Sequence, residues 1–322
     1  MRAFRFLSIV VVMIAAGLSA ARAQSDYPNK PIHLIVGFIP GSSADITARV
    51  LGNRMSQLLG QQIVVENKPG AGSSLAAEYV ARSPKDGYTL FIGSSANITN
   101  AAINPKLSFD MVKDFAPVAL VNSTAVILVA HPSVGVSSLK ELIALAKQKP
   151  GEINYASTGV GTAPHLSGEL LNMRAGLKLV HVPYQGSPQA ATDLLAGRVQ
   201  IMFSPASAVV AQVESGKLKV LASATAQRAG ILPNVPTMEE AGMPDFVTSI
   251  WFGVMAPAGT PREIVDKLSR AAIEAAKSPE VIAAWRPQGI DPQIAGPDDF
   301  GRFVVKEMAR WSEVASAAGL KK

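Results

Sequence analysis

The chain has 322 residues, of which 48% are hydrophobic and 17% charged, with no cysteine and a formal net charge of +6. That composition excludes a disordered chain, and the missing cysteines exclude disulfides, thiolate metal sites and thiol catalysis. Lysines and arginines are scattered, with no basic stripe interleaved with aromatics, which argues against a nucleic-acid partner.

Arg2 and Arg5 precede an uncharged run over residues 6–21, which ends at Ala21-Arg22-Ala23. This order is that of a secretory signal peptide, residues 1–23, cleaved after Ala23. The run is shorter than the roughly 20 residues a spanning helix needs, and no later stretch is continuously apolar for long enough to cross a bilayer. The leader carries three arginines and no acid, so the chain from Gln24 onward carries +3, a mild potential that favours anionic ligands. A soluble, periplasmic protein is expected. The roughly 300 residues that remain exceed the usual single domain, which predicts two lobes with separate cores.

In chain order, the β-branched run 32–36 predicts a buried strand, and the loop Phe38 to Ser43 leads into a helix over 45–59 that stops at Gly60. A strand at 63–65, a glycine-rich loop 70–74, a helix over 75–82, a turn at Asp86-Gly87 and a strand at 89–92 follow. This βαβ rhythm predicts parallel sheets with helices on both faces and ligands beyond the carboxyl ends of the strands. The apolar strand 126–130 is placed to carry the chain into a second lobe, where the rhythm restarts. Helix 139–148, strand 154–156, helix 166–173, strand 179–182, a helix ending at Gly197, and strands 201–203 and 220–222 make up that lobe. Strand 251–255 precedes a C-terminal part read as helical, opened by Pro261 at the first helical position.

Three loops carry the functional signal. Phe38-Ile39-Pro40-Gly41-Ser42-Ser43-Ala44-Asp45 brings backbone N–H groups to a positive helix end, where an oxyanion fits; its isolated reading is an ordinary capped turn, with Asp45 as a cap or brace. Thr158-Gly159-Val160-Gly161-Thr162 before His165 permits close backbone approach and offers a hydroxyl, but it has neither the lysine of a phosphate loop nor the third glycine of a dinucleotide fingerprint. Ser94, Ser95 and Asn97 end a third strand with small hydroxyl and amide groups. Neutral donors dominate all three, which suits a carboxylate held by hydrogen bonds and water.

Catalysis has little support. His33, His131, His165 and His181 stand singly without metal-ligand spacing, and no Gly-x-Ser-x-Gly elbow raises a nucleophile. No catalytic residue, metal or cofactor is predicted. Phe38, Phe203, Trp251 and Phe252 read more readily as core than as pocket lining.

Tyr27-Pro28-Asn29-Lys30-Pro31-Ile32, Pro40-Gly41 with Asp45, Glu66-Asn67-Lys68-Pro69-Gly70-Ala71-Gly72, Asp86-Gly87-Tyr88-Thr89-Leu90, His181-Val182-Pro183-Tyr184-Gln185-Gly186, Leu232-Pro233-Asn234-Val235-Pro236-Thr237 and Ala256-Pro257-Ala258-Gly259-Thr260-Pro261 occur in that order along the chain. Together they resemble the substrate-binding proteins of tripartite tricarboxylate transporters, the Bug family.

The resemblance implies a type II periplasmic-binding-protein fold: two α/β lobes with the ligand cleft between them, residues 24–121 plus 249–322 forming lobe one and 122–248 lobe two. It implies a solute-binding protein, not an enzyme, that captures a small carboxylate (a dicarboxylate, tricarboxylate or aromatic acid) for the membrane permease subunits of a tripartite transporter, acting as a monomer. Carried onto this chain, its ligand-binding residues are Phe38, Gly41, Ser42, Ser43, Asp45, Ser94, Ser95, Asn97, Thr158, Gly159, Gly161, Thr162 and His165. Two departures stand out. Ser42 replaces the second glycine usual in the first loop, and Ser204, also a candidate ligand contact, replaces the acidic residue common after the strand at 201–203, which disfavours an amino-acid ligand. The alternatives are an exported enzyme using His165 or Asp45 as acid or base, and a binding module feeding a sensor.

Overall fold

The computed structural model describes residues 27–104, 106–184 and 186–321. The signal peptide read from residues 1–23 lies outside the described residues.

The first sheet begins with β1 (Ile32–Val36), α1 (Ser43–Leu59), β2 (Ile63–Asn67), α2 (Ser74–Ala81), β3 (Thr89–Ser94) and α3 (Ser95–Ile103). Each turn of this path has a local cause. Ser42 caps α1, its hydroxyl accepting the Asp45 N–H at 3.3 Å, and Gly60 ends the helix in the left-handed conformation at φ 67°. β4 (Phe115–Thr124) then runs almost directly into β5 (Val126–Ala130), which belongs to the second sheet.

That sheet is completed by α4 (Leu139–Gln148), β6 (Asn154–Ser157), α5 (Ala163–Ala175), β7 (Val180–Pro183), α6 (Ser187–Leu195), β8 (Ile201–Pro205), α7 (Val210–Glu214) and β9 (Lys219–Ser223). The chain returns through β10 (Ile250–Pro257), α8 (Arg262–Lys277), α9 (Pro279–Trp285), β11 (Ile290–Ala295) and α10 (Pro297–Ala317).

The strand orders are β11-β4-β10-β3-β1-β2 and β7-β6-β8-β5-β9. Both repeat one plan. In the first sheet β1 lies between β2 and β3, parallel to each. In the second, β6 lies between β7 and β8 in the same way. The crossing strands then join antiparallel, β10 on β3 and β5 on β8. The expectation of parallel sheets is therefore corrected to mixed ones: a strand that re-enters a sheet after visiting the other lobe arrives from the opposite direction.

Four local readings also change. Residues 95–103 are helix rather than loop, because Ser94 and Asn97 form a capping box that starts α3. Pro261 is the N-cap of α8 and not its first residue. β11 interrupts the C-terminal helices; Pro292 masked it, and proline is tolerated there because β11 is an edge strand. β4 was hidden by Pro117 and the polar run Asn122-Ser123-Thr124, although β10 and β11 pair with it on both sides.

The core is continuous between the sheets. Phe91, Ile98 and Ile103 join, through Phe300 and Trp311 of α10, the buried Leu166, Leu170 and Phe203 of the second sheet's layer. Trp251 packs edge-on against Phe300 at 5.7 Å, and Phe203 stacks on Phe246 at 6.2 Å, so both aromatics serve the core. Phe252 is buried in a second cluster with Val118 and Val254.

Candidate functional site

In a sheet whose first strand is flanked by the two that follow it, successive connections leave on opposite faces and a crevice opens at the carboxyl ends. This chain has two such points. The first collects the loops after β1, β2 and β3, and the second those after β6 and β8. The loop after β6 touches the first lobe at the far end of α3, where a Cβ built on Gly161 would lie 3.1 Å from Ile103 Cδ1. The first turn of that same helix carries Ser95 and Asn97.

The loop after β1 is braced from below. Asp45 is 3% exposed and its carboxylate accepts the Gly41 N–H at 2.9 Å, the Asn67 amide at 2.9 Å and the Arg49 Nε at 3.0 Å. Asn67 also donates to the Phe38 carbonyl at 3.0 Å, and Arg49 to the Asn67 side-chain oxygen at 3.0 Å. Burial alone would raise the Asp45 carboxyl, but Arg49, the Gly41 N–H and Asn67 together hold it below its ordinary value. Asp45 is thus an ionised brace. Gly41 sits at φ 80°, which only glycine adopts freely, and the exposed Ile39 forms the loop's outer edge. Phe38, Ser42 and Ser43 are half-buried around it.

The loop after β3 is tied inward. Asn97 is fully buried, its Oδ1 accepting from the Ser94 N–H at 3.0 Å and the Ser94 hydroxyl at 3.1 Å, while its amide donates to the Ser73 carbonyl at 3.4 Å. Ser95 is buried at the first position of α3.

Ser73 belongs to the glycine-rich loop after β2, which is not among the three loops that carry the functional signal in the sequence. Its side chain presses on Gly37 at the exit of β1: a Cβ at Gly37 would fall 1.9 Å from Ser73 Oγ. The loop after β2 is therefore wedged between the other two. Asn67 and Ser73 are the residues missed in this region. A small-residue turn after a strand, the same signal as in the other loops, was their trace in the sequence.

In the second lobe, Thr162 caps α5 and its hydroxyl donates to the Gly159 carbonyl at 2.7 Å. Gly159 and Gly161 stand at φ 131° and 80°. The half-buried Thr158 lies between Ser157 and Gly159, and the exposed Val160 lies at the tip. His165, 2% exposed, accepts the Gly161 N–H on Nδ1 at 3.1 Å. His181 meets the Ser157 hydroxyl through Nε2 at 2.7 Å, and Ser157 in turn accepts the Gly159 N–H at 3.2 Å.

His165 and His181, far apart in sequence, are stacked in space with centroids 3.9 Å apart, and Tyr155 also stacks on His181 at 4.9 Å. Burial, then repulsion from His181, lowers His165 to about 3, and burial lowers His181 to about 4. Both rings are neutral at pH 7, so they orient the loop without adding charge. Ser204, fully buried at the exit of β8, donates to the Pro205 carbonyl at 3.0 Å.

Chemically the two crevices offer helix N-termini, hydroxyls and amides, while the nearby cations Arg49 and Lys68 are engaged, Arg49 by Asp45 and Lys68 by Glu66 and the Tyr79 ring. Such a surface suits an anion. Among the described residues no group of three or more His, Cys, Asp or Glu is placed to hold a metal ion. A cavity of about 610 Å³ opens at the C-terminal end of α3, beside Asn104, Phe109 and Met308.

The profile of the tripartite tricarboxylate transporter family receptors matches residues 47–320. Protein BugT of Bordetella pertussis is 39% identical over 320 residues, 98% of each chain. The structure of Rhodopseudomonas palustris Rpa4515 with adipate superposes with a TM-score of 0.77 at 36% identity, covering 91% of this chain and 99% of that one. MatC from Rhodopseudomonas palustris with bound malate gives 0.73 at 33% identity, covering 89% and 99%. With a two-lobed periplasmic-binding fold and a family match across most of its length, the chain belongs to the tripartite tricarboxylate transporter receptors, the Bug family.

Proposed function

We propose that this protein is a periplasmic solute-binding receptor that encloses a small dicarboxylate between its lobes and presents it to the membrane permease subunits of a tripartite transporter. The observation that carries this reading is the presence of two strand-exit crevices, one in each sheet, lined by neutral donors at the starts of α1, α3 and α5. The relatives solved with adipate and malate support a carboxylate as the ligand. Residues 1–23 serve as the export signal, and none of the described helices is long and apolar enough to cross a membrane. The lobes divide as 24–121 plus 249–322 and 122–248, and the protein works as a monomer.

The ligand contacts are the residues named from the sequence, with Asp45 and His165 acting through the loops they hold. Ser204 presents no charge to an amine, which favours acids without an amino group. The enzyme reading loses support because both of its proposed bases are occupied: Asp45 by three donors, and His165 Nδ1 by the Gly161 N–H.

The test is a thermal-shift screen of the chain from Gln24 onward against aliphatic dicarboxylates, tricarboxylates, aromatic acids, amino acids and sugars, with mass spectrometry of the recovered ligand. A melting point raised by four- to six-carbon diacids, with the ligand recovered unaltered, is the expected result. A chemically changed ligand, or a shift with sugars alone, overturns it.

A further inference from the structure

Among the described residues only three that are not glycine have positive φ, and two of them, Ala71 (47°) and Ser73 (75°), fall in the loop after β2. For a residue with a side chain that conformation is strained, and such strain persists only where surrounding structure imposes it. Ser73 carries a second anomaly. Its side chain is fully buried, and its hydroxyl has no hydrogen-bond partner. A polar group withdrawn from water and left unpaired is destabilising, so one residue combines two unfavourable features that glycine would remove.

Its position makes the combination informative. Ser73 Oγ rests on Gly37, where the loop of Phe38 to Ser43 begins, and its carbonyl is held by Asn97, the brace of Ser94 and Ser95. The neighbouring Ser74 hydroxyl is engaged by Asn100, whose amide also holds the Ala71 carbonyl at 2.7 Å, so the turn that imposes the φ of Ser73 is itself anchored to α3. The lobe-one loops are thus assembled around a hydroxyl whose bonding capacity is unspent and whose direction is set by the single χ1 torsion.

We propose that Ser73 is an additional ligand contact of the first lobe, its hydroxyl donating a hydrogen bond to a carboxylate oxygen of the bound dicarboxylate. The inference rests on the receptor reading above and deepens it: the carboxylate seated in lobe one is recognised by the loop after β2 as well as by those after β1 and β3. An oxyanion is the acceptor that suits this place, because Ser73 stands at the N-terminus of α2 and against the first turn of α3.

The experiment compares the chain from Gln24 onward with Ser73→Gly and Ser73→Ala, measuring calorimetric titration with malate and adipate alongside thermal unfolding without ligand. Ser73→Gly removes both the strain and the unpaired hydroxyl, so its melting point should rise by a few degrees while its affinity falls about tenfold. Ser73→Ala keeps the strain and should lose similar affinity. If the original chain binds either acid and both variants bind it equally well, Ser73 is a packing residue and the inference fails alone. If the original chain binds neither acid, the dicarboxylate reading fails and takes the inference with it.

Discussion

Gly161, in the glycine-rich loop of the second lobe, lies against Ile103 at the end of α3 in the first, close enough that an added methyl group would stand 3.1 Å from the Ile103 Cδ1. The contact joins a loop of one lobe to a helix of the other and limits how closely they approach. Gly161→Ala adds that methyl and also forces alanine into φ 80°, a strain of about 1 kcal/mol. The expected outcome is a destabilised closed form, with dicarboxylate affinity reduced on the order of tenfold and a larger radius of gyration in the ligand-loaded protein. Ile103→Ala in the same chain should restore part of the affinity; calorimetry and small-angle scattering read both.

Asp45 supports the first loop through three donors, all partly exposed, which lose their acceptor when it is removed. Asp45→Ala should cost about 1–2 kcal/mol of stability in urea unfolding, since three partly solvated donors lose a charged acceptor. Asp45→Asn keeps the shape and loses the ion pair, and should cost less because Arg49 is half exposed. An affinity loss larger for Ala than for Asn, without any product in either, marks Asp45 as a brace and not a base.

Gly37 and Ser73 should be coupled. Gly37→Ala places a methyl 1.9 Å from the Ser73 hydroxyl and should destabilise by about 2–3 kcal/mol through overpacking. In a Ser73→Gly background the hydroxyl and Cβ are gone but the Cα of residue 73 still stands 2.7 Å from the added methyl, so the double variant should recover only part of that loss. Additive effects in chemical denaturation would contradict the contact.

The stacked histidines predict an acid-sensitive fold. Both rings have folded pKa values below their unfolded value, so the unfolded chain takes up protons first as pH falls, and the stability they confer is full above about pH 6.5 and is lost progressively towards pH 4 and below. The loss expected between pH 7 and pH 4 is on the order of 2–3 kcal/mol per ring. Unfolding free energies measured across that interval should show a shallower slope in His181→Gln than in the original chain. Equal slopes would mean that His181 titrates as it does when unfolded.

Much of the architecture was legible because its signals are local. The β-branched run of β1, the glycine stops after α1 and α6, and the two strand-to-helix loops each follow from propensity and capping within a few residues. β4 and β11 were not legible, since Pro117 and Pro292 contradict strand propensity and only pairing with β10 or with each other stabilises them. The role of Asp45 was readable as a brace, whereas its partner Asn67 lies 22 residues away and no local pattern links the two.

The sequence by itself determined the two-lobed rhythm, the family and the chemical character of the loops, because hydrophobic periodicity, turn residues and ordered motifs are properties of short segments. Only the tertiary structure decided what those loops meet. It put His165 on His181, Gly161 against Ile103, and Ser73 between Gly37 and Asn97 with its hydroxyl unpaired. Such relationships depend on how separate strands pair and how the lobes close on one another, and that is settled by the packing of the whole chain.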